Sequence, residues 1–209
     1  MQHAGQSWWH DHADAVSPTV GLRPFDPSRS VDLVVVGAGG AGLSCAIVAA
    51  KAGMRVCVID VAGPGSGAAG RNGGLLLAGF ASFFHDAQSM YGEAAAITGY
   101  QLTLAELDRV SQSPGARVRC LGSSRIAFDN DEARDLQAHH EALRAAGFDS
   151  QLRSDRELYI ASDATFDPLS RVRSLATDAS QLGVQFVVGT HVDSLDKLPV
   201  EAPIKVVCI

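Results

Sequence analysis

The residues best suited by type and spacing to do chemistry are six in a row, Gly37-Ala38-Gly39-Gly40-Ala41-Gly42. The string has G-x-G-x-x-G spacing. It follows the apolar run Leu33-Val34-Val35-Val36 and opens a helix-like stretch, the one context in which that spacing is informative. Each glycine has a separate task in such a turn. Gly37 permits the tight bend, Gly39 lets the backbone come close to a pyrophosphate, and Gly42 lets helix and strand pack with no side chain between them. The helix N-terminus, where Gly40 and Ala41 lie, offers free N–H groups to the anion. Asp60 follows 18 residues after Gly42, at the end of a second apolar run, Val56-Cys57-Val58-Ile59. A carboxylate there receives the hydroxyls of an adenosine ribose and repels a 2′-phosphate, which disfavours NADP. The bland alternative is an unrelated surface aspartate, and the register of strand, glycines, helix, strand and acid argues against it.

These residues alone do not separate FAD from NAD. The stretch that does is Gly67-Ala68-Ala69-Gly70-Arg71-Asn72-Gly73-Gly74, just after the second strand. Small residues and consecutive backbone N–H groups can approach a flat ring and a phosphate without side-chain clash. The string resembles the G-A-S-G-R-N-G-G element of the FAD-dependent amine and amino-acid oxidases of the D-amino-acid oxidase superfamily, especially the γ-glutamylputrescine oxidoreductase branch. Ser7-Trp8-Trp9 is similar to that branch's Tyr-Trp start. The resemblance implies that Gly70, Arg71, Asn72, Gly73 and Gly74 lie along FAD. It also implies an oxidoreductase that oxidises a C–N bond by hydride transfer to the flavin, giving an imine that hydrolyses. Ala69 departs from the family's usual Ser or Thr, and Asp60 from its usual Glu. No Cys or His occupies the Arg71 loop, so nothing there suggests a covalently tethered flavin. An NAD-dependent dehydrogenase would share the first β-α-β unit but leave Arg71-Asn72-Gly73-Gly74 unexplained. A non-catalytic nucleotide-binding fragment is the other alternative.

The elements that must position these residues read as an α/β chain. Ala41–Ala52 is a helix of small and apolar residues that Gly53 can close, between two buried strands. Residues 84–110 read as one helix with Leu102, Leu104, Leu107 and Val110 on its apolar face, and 118–128 as a strand. Asp129 with Glu132 forms a capping box for a helix whose Ala133, Leu136, Leu143 and Ala146 share a stripe. Asp167-Pro168 starts a further helix and Gly183 stops it, followed by a strand from Val184 to Val188 and another apolar run from Ile204. With the resemblance, this implies a Rossmann-like FAD-binding domain with a parallel sheet, plus part of an α+β substrate domain. The expected divisions are an N-terminal extension (1–30), the first FAD-binding segment (31–112), a partial substrate or cap subdomain (113–165) and a second, incomplete FAD-binding segment (166–209). The chain stops on an apolar run with no helix to cover it, so it reads as cut short, and turnover by this chain alone is not expected.

Composition excludes several other classes. The 209 residues are 46% hydrophobic and carry a net charge of -6, with 17 Lys and Arg against 23 acids, which argues against a nucleic-acid partner. A small amine or amino-acid substrate fits better. Cys45, Cys57, Cys120 and Cys208 form no Cys-x-x-Cys pair and read as reduced core thiols. The uncharged run Leu33–Ala50 holds four glycines and changes from strand to helix pattern midway, so it is no membrane span, and the default location is the cytoplasm. His3, His10 and His12 fit no ligand spacing, and His139 and His140, about 100° apart on a helix, cannot share one metal, so no metal is expected. His140 reads as packed, and His85 and His191 as structural. No catalytic base and no oligomeric state are assigned.

Overall fold

The computed structural model describes residues 7–12 and 21–209; His3 and Pro18 of the N-terminal extension lie outside the described residues. The chain divides into two compact units, one running up to Gly73 and resuming over Asp167–Ile209, the other comprising Gly74–Phe166.

The first unit begins with α1 (Trp8–Asp11), β1 (Leu33–Val36), α2 (Gly40–Lys51) and β2 (Val56–Asp60). The chain then builds the second unit from β3 (Leu75–Leu76), α3 (Phe84–Tyr91), α4 (Glu93–Ser111), β4 (Ser123–Ile126), α5 (Asn130–Ala145), β5 (Gln151–Ser154), β6 (Glu157–Ile160) and β7 (Ala164–Thr165). It returns with α6 (Pro168–Gln181), β8 (Gln185–Val188) and β9 (Ile204–Val207).

Four parallel strands form the sheet of the first unit in the order β8-β2-β1-β9. The continuous apolar run of β1 is explained by cover on both faces, since successive side chains alternate and all four are buried. Val35 and Val58 join Leu43 and Ala46 of α2 and Leu175, Ala176 and Ala179 of α6 on one face. Val34, Val36, Cys57 and Ile59 meet Leu198 and Val200 on the other. α6 starts as its sequence requires: the Asp167 carboxylate accepts the Ser170 N–H at 2.9 Å and Pro168 occupies the first turn. The sheet and its helices thus bring the loops after β1 and β2 to one edge, where a doubly covered parallel sheet binds ligands.

The second unit holds a three-stranded antiparallel sheet, β4-β6-β5, and the two-stranded β3-β7 pair. Asp129 caps α5 by accepting the N–H groups of Asp131 and Glu132, while Glu132 reaches back to the Phe128 N–H at 2.7 Å. Three details differ from the sequence reading. The helix expected over 84–110 is two helices broken at Gly92, whose φ of +84° suits a residue without Cβ. Its buried positions are Phe84, Ala87, Ala96, Tyr100 and the expected Val110, and Leu104 packs against them, but Leu102 is 67% exposed, because the core is aromatic: Phe84, Tyr100 and Phe148 pack mutually. Both helices therefore share a core with Leu136, Leu143 and Leu158, and residues 74–112 fold with the second unit rather than with the sheet of the first.

Candidate functional site

The turn after β1 is held by three neighbours at once. Gly37 donates its N–H to the Ile59 carbonyl of β2 at 2.8 Å, and the Cys208 N–H, just past β9, donates to the Val36 carbonyl at 2.8 Å. Gly37 has φ +107°, and a Cβ there would lie 2.3 Å from the Cys208 carbonyl oxygen. A Cβ on Gly42 would lie 2.0 Å from the Gly37 carbonyl oxygen. These two glycines are demanded by the protein's own packing. Gly39 and Gly40 are not: a Cβ on Gly39 would make only an ordinary 3.5 Å contact with the Ala69 side chain, and one on Gly40 would meet nothing within 4 Å. Both sit at the start of α2, where Gly39 is the N-cap and provides no side-chain hydrogen bond to the first turn. Open space against uncapped N–H groups is what an anionic group requires.

Asp60 bonds three backbone N–H groups. One carboxylate oxygen, Oδ2, accepts the Ala38 N–H at 2.8 Å; the other, Oδ1, accepts those of Ala62 at 2.9 Å and Gly63 at 2.6 Å. The side chain therefore braces the glycine turn against the loop after β2. Each carboxylate oxygen offers about two acceptor positions, so Oδ2, with one N–H bonded, retains acceptor capacity. Beside Asp60 and Gly37, a cavity of about 310 Å³ opens at the C-terminal ends of β1, β2 and β9, with Val61, Thr190, His191 and Ile209 also on its wall. The Thr190 N–H donates to the Asp60 carbonyl at 3.2 Å, which ties the loop after β8 to this wall. Sequence reading missed this segment, because Thr190 and His191 carry no local motif and reach the site only through the β2–β8 pairing.

The second glycine string lies next to the first. Ala68–Gly70 form a tight turn in which a Cβ on Gly70 would lie 2.0 Å from the Gly65 carbonyl oxygen, so this glycine too is structural. Ala69 is the residue that Gly39 faces. The Asn72 side chain donates to the Ala69 carbonyl at 3.1 Å, and the Asn72 carbonyl accepts the indole N–H of Trp9 at 2.8 Å. Arg71, Asn72 and Gly73 are exposed, and Gly74, where the second unit begins, accepts the Phe166 N–H at 2.9 Å.

Other candidate groups resolve into structural roles. Burial pushes the Cys57 thiol up to about 12, so it is an inert core thiol, but Cys120 is exposed and does not belong to the core as expected. Of the histidine pair the more buried member is His139, not His140: its Nδ1 accepts the Phe84 N–H at 2.9 Å, while His140 bonds the Ser150 hydroxyl at 2.8 Å. Burial, reinforced by the positive charge of Arg125, lowers His139 to about 4. Among the described residues no cluster of His, Cys, Asp or Glu is arranged to hold a metal, and no helix is long and apolar enough to cross a membrane.

A parallel sheet with a glycine turn, an uncapped helix start and a strand-end carboxylate defines a dinucleotide-binding unit. Comparison with known proteins identifies which kind. The sequence pattern of the DAO family, FAD dependent oxidoreductase, matches residues 32–207, and the chain belongs to that family. The cofactor is therefore FAD rather than NAD. The chain is 27% identical over 194 residues to a probable oxidoreductase, OrdL, of Haemophilus influenzae, covering 83% of this chain and 45% of that protein. It is 40% identical over 72 residues to γ-glutamylputrescine oxidoreductase of Escherichia coli, covering 33% of this chain and 17% of the relative. The crystal structure of glycine oxidase from Geobacillus kaustophilus superposes with a TM-score of 0.60 at 22% identity, covering 78% of this chain and 48% of that one, and so has the same fold. The chain spans about half the length of such relatives.

Proposed function

We propose that Gly37, Ala38, Gly39, Gly40, Ala41, Gly42 and Asp60, with Gly70, Arg71, Asn72, Gly73 and Gly74, hold FAD, and that the whole protein oxidises the C–N bond of a small amine or amino acid. The observation that carries the reading is the division among the glycines. Gly37, Gly42 and Gly70 are fixed by their own backbone neighbours, whereas Gly39 and Gly40 leave open space over the start of α2. A pyrophosphate fits that space, and its charge is favoured by the helix N-terminus. Asp60 presents Oδ2 to the ribose from the neighbouring strand end. Bound FAD supplies the two-electron acceptor; the chain's own residues bind and orient it. The substrate class is supported by what the relatives are named for, γ-glutamylputrescine in one and glycine in another.

In this reading the first unit is the FAD-binding part and the second unit the beginning of a substrate domain. With no membrane-spanning helix among the described residues and acids in excess of bases, a cytoplasmic enzyme with a small-molecule substrate and no nucleic-acid partner is the matching setting. The test is anaerobic mixing of the whole protein, loaded with FAD, with a panel of amines and amino acids. Loss of the oxidised-flavin absorbance with at least one of them is expected. A protein that binds FAD yet is bleached by none of them overturns the substrate class.

A further inference from the structure

The two tryptophans of the chain are adjacent, and Trp9 bonds to the cofactor loop. Trp9, half-buried, donates its indole N–H to the Asn72 carbonyl at 2.8 Å, a contact that joins positions 63 residues apart. Trp8 is 61% exposed, stacks on His12 with ring centroids 4.3 Å apart, and meets Trp9 edge-on. α1 contributes no buried residue, so neither ring is part of the hydrophobic core. What Trp9 does instead follows from peptide geometry. A trans peptide is planar, with its carbonyl and N–H pointing to opposite sides. Holding the Asn72 carbonyl toward α1 therefore aims the Gly73 N–H away from α1. Gly73 has no side chain to restrain that plane, and glycine peptides reorient readily. The Asn72 side chain, bonded to the Ala69 carbonyl, anchors the residue from its other side.

We propose that Trp9 is a positioning residue for the cofactor loop: by fixing the Asn72–Gly73 peptide it presets the Gly73 N–H in the orientation that receives FAD. The inference rests on the assignment of Gly73 to the FAD site. It gives the segment ahead of β1 a role in cofactor binding, and makes α1 a clasp on the loop.

The test compares W9F and W8F with the wild-type chain. Trp9→Phe keeps an aromatic ring and removes the donor; Trp8→Phe is the control. FAD affinity is read from quenching of tryptophan emission by the flavin, which absorbs where tryptophan emits, and each variant keeps one reporter beside the loop. Backbone ¹⁵N relaxation of Gly73 in the FAD-free chain gives the second readout. W9F is expected to bind FAD about 2- to 10-fold more weakly, the loss of one neutral hydrogen bond. Its Gly73 order parameter is expected to fall below about 0.6, the range of flexible backbone. W8F should match the wild type in both, and with the core untouched the FAD-free thermal unfolding of W9F should fall by no more than about 2–4 °C, the loss of one hydrogen bond. A W9F chain indistinguishable from W8F in affinity and in Gly73 relaxation overturns the proposal. A wild-type chain that binds no FAD overturns the site assignment and with it the cofactor role of Trp9, while the relaxation comparison alone then decides whether Trp9 restrains the peptide.

Discussion

Replacing Gly39 and Gly42 separately by alanine should separate the packing role of the glycine string from its ligand role. At Gly42 the new methyl would lie 2.0 Å from a backbone oxygen, that of Gly37, which is itself pinned between β2 and β9. No flexible side chain can move aside, so the turn or the start of α2 must shift. Overpacking of this kind costs about 1–3 kcal/mol, and more where backbone must move. Alanine's advantage over glycine inside a helix offsets roughly 1 kcal/mol of that. A net loss of about 2 kcal/mol, the upper end of that balance because backbone must move, is expected for FAD-free G42A, or about 4–8 °C in Tm for a chain of this size. At Gly39 the methyl meets only Ala69 at 3.5 Å, an ordinary contact. Alanine is a poorer N-cap than glycine by about 0.5–1 kcal/mol, so FAD-free G39A should lose no more than roughly 4 °C. With FAD the order changes: G39A fills the space assigned to the pyrophosphate and should lose most of the stabilisation that FAD confers on the wild type. Thermal unfolding of both variants with and without FAD is the assay. Equal FAD-free losses in the two variants, or a wild-type FAD response in G39A, would refute the division of roles.

Two further predictions follow from single side chains. D60A removes the acceptor for three backbone N–H groups and should destabilise the FAD-free chain by about 2–4 kcal/mol in urea unfolding; a loss that appears only with FAD present contradicts the bracing role. His139 is lowered from 6.5 to about 4, so below pH 6.5 the unfolded chain takes up a proton that the folded chain refuses. Stability from this group is complete above pH 6.5 and is lost as pH falls toward 4, at about 1.4 kcal/mol per pH unit and about 3 kcal/mol in all. Urea unfolding of wild type and H139N across this window should show the difference, and parallel pH profiles of the two would refute it.

The part of the fold that was legible in the sequence is the part whose signals are local. β1, α2 and β2 announce themselves because a doubly covered parallel strand needs an unbroken apolar run, and a glycine turn must follow it. Asp129 and Asp167 mark helix starts because their carboxylates cap the next N–H groups. The second unit was less legible. α4 buries Ala96, Tyr100 and Val110 and packs Leu104 against the same core while exposing Leu102, so the leucines mark the buried face only in part. The hairpin of β5 and β6 is short and mostly half-exposed, and Gln151–Ser154 carries no alternation strong enough to mark a strand. In the candidate site, residue types and spacing pointed to both glycine strings and to Asp60. Three things depended on tertiary structure: the approach of Ala69 to Gly39, the threefold backbone bracing by Asp60, and the Trp9 bond to Asn72. Each includes a contact between segments whose separation in the chain leaves no periodic or motif signal, which for Asp60 is its bond to the Ala38 N–H.

The central claim, that this chain carries an FAD site, is tested most directly by thermal unfolding of the purified chain with FAD and with NAD as control. At FAD about 100-fold above its dissociation constant, binding to the folded state adds roughly 2.7 kcal/mol, or about 5–10 °C. The account predicts that shift with FAD and none with NAD at the same concentration. No shift with FAD, or an equal shift with NAD, contradicts it.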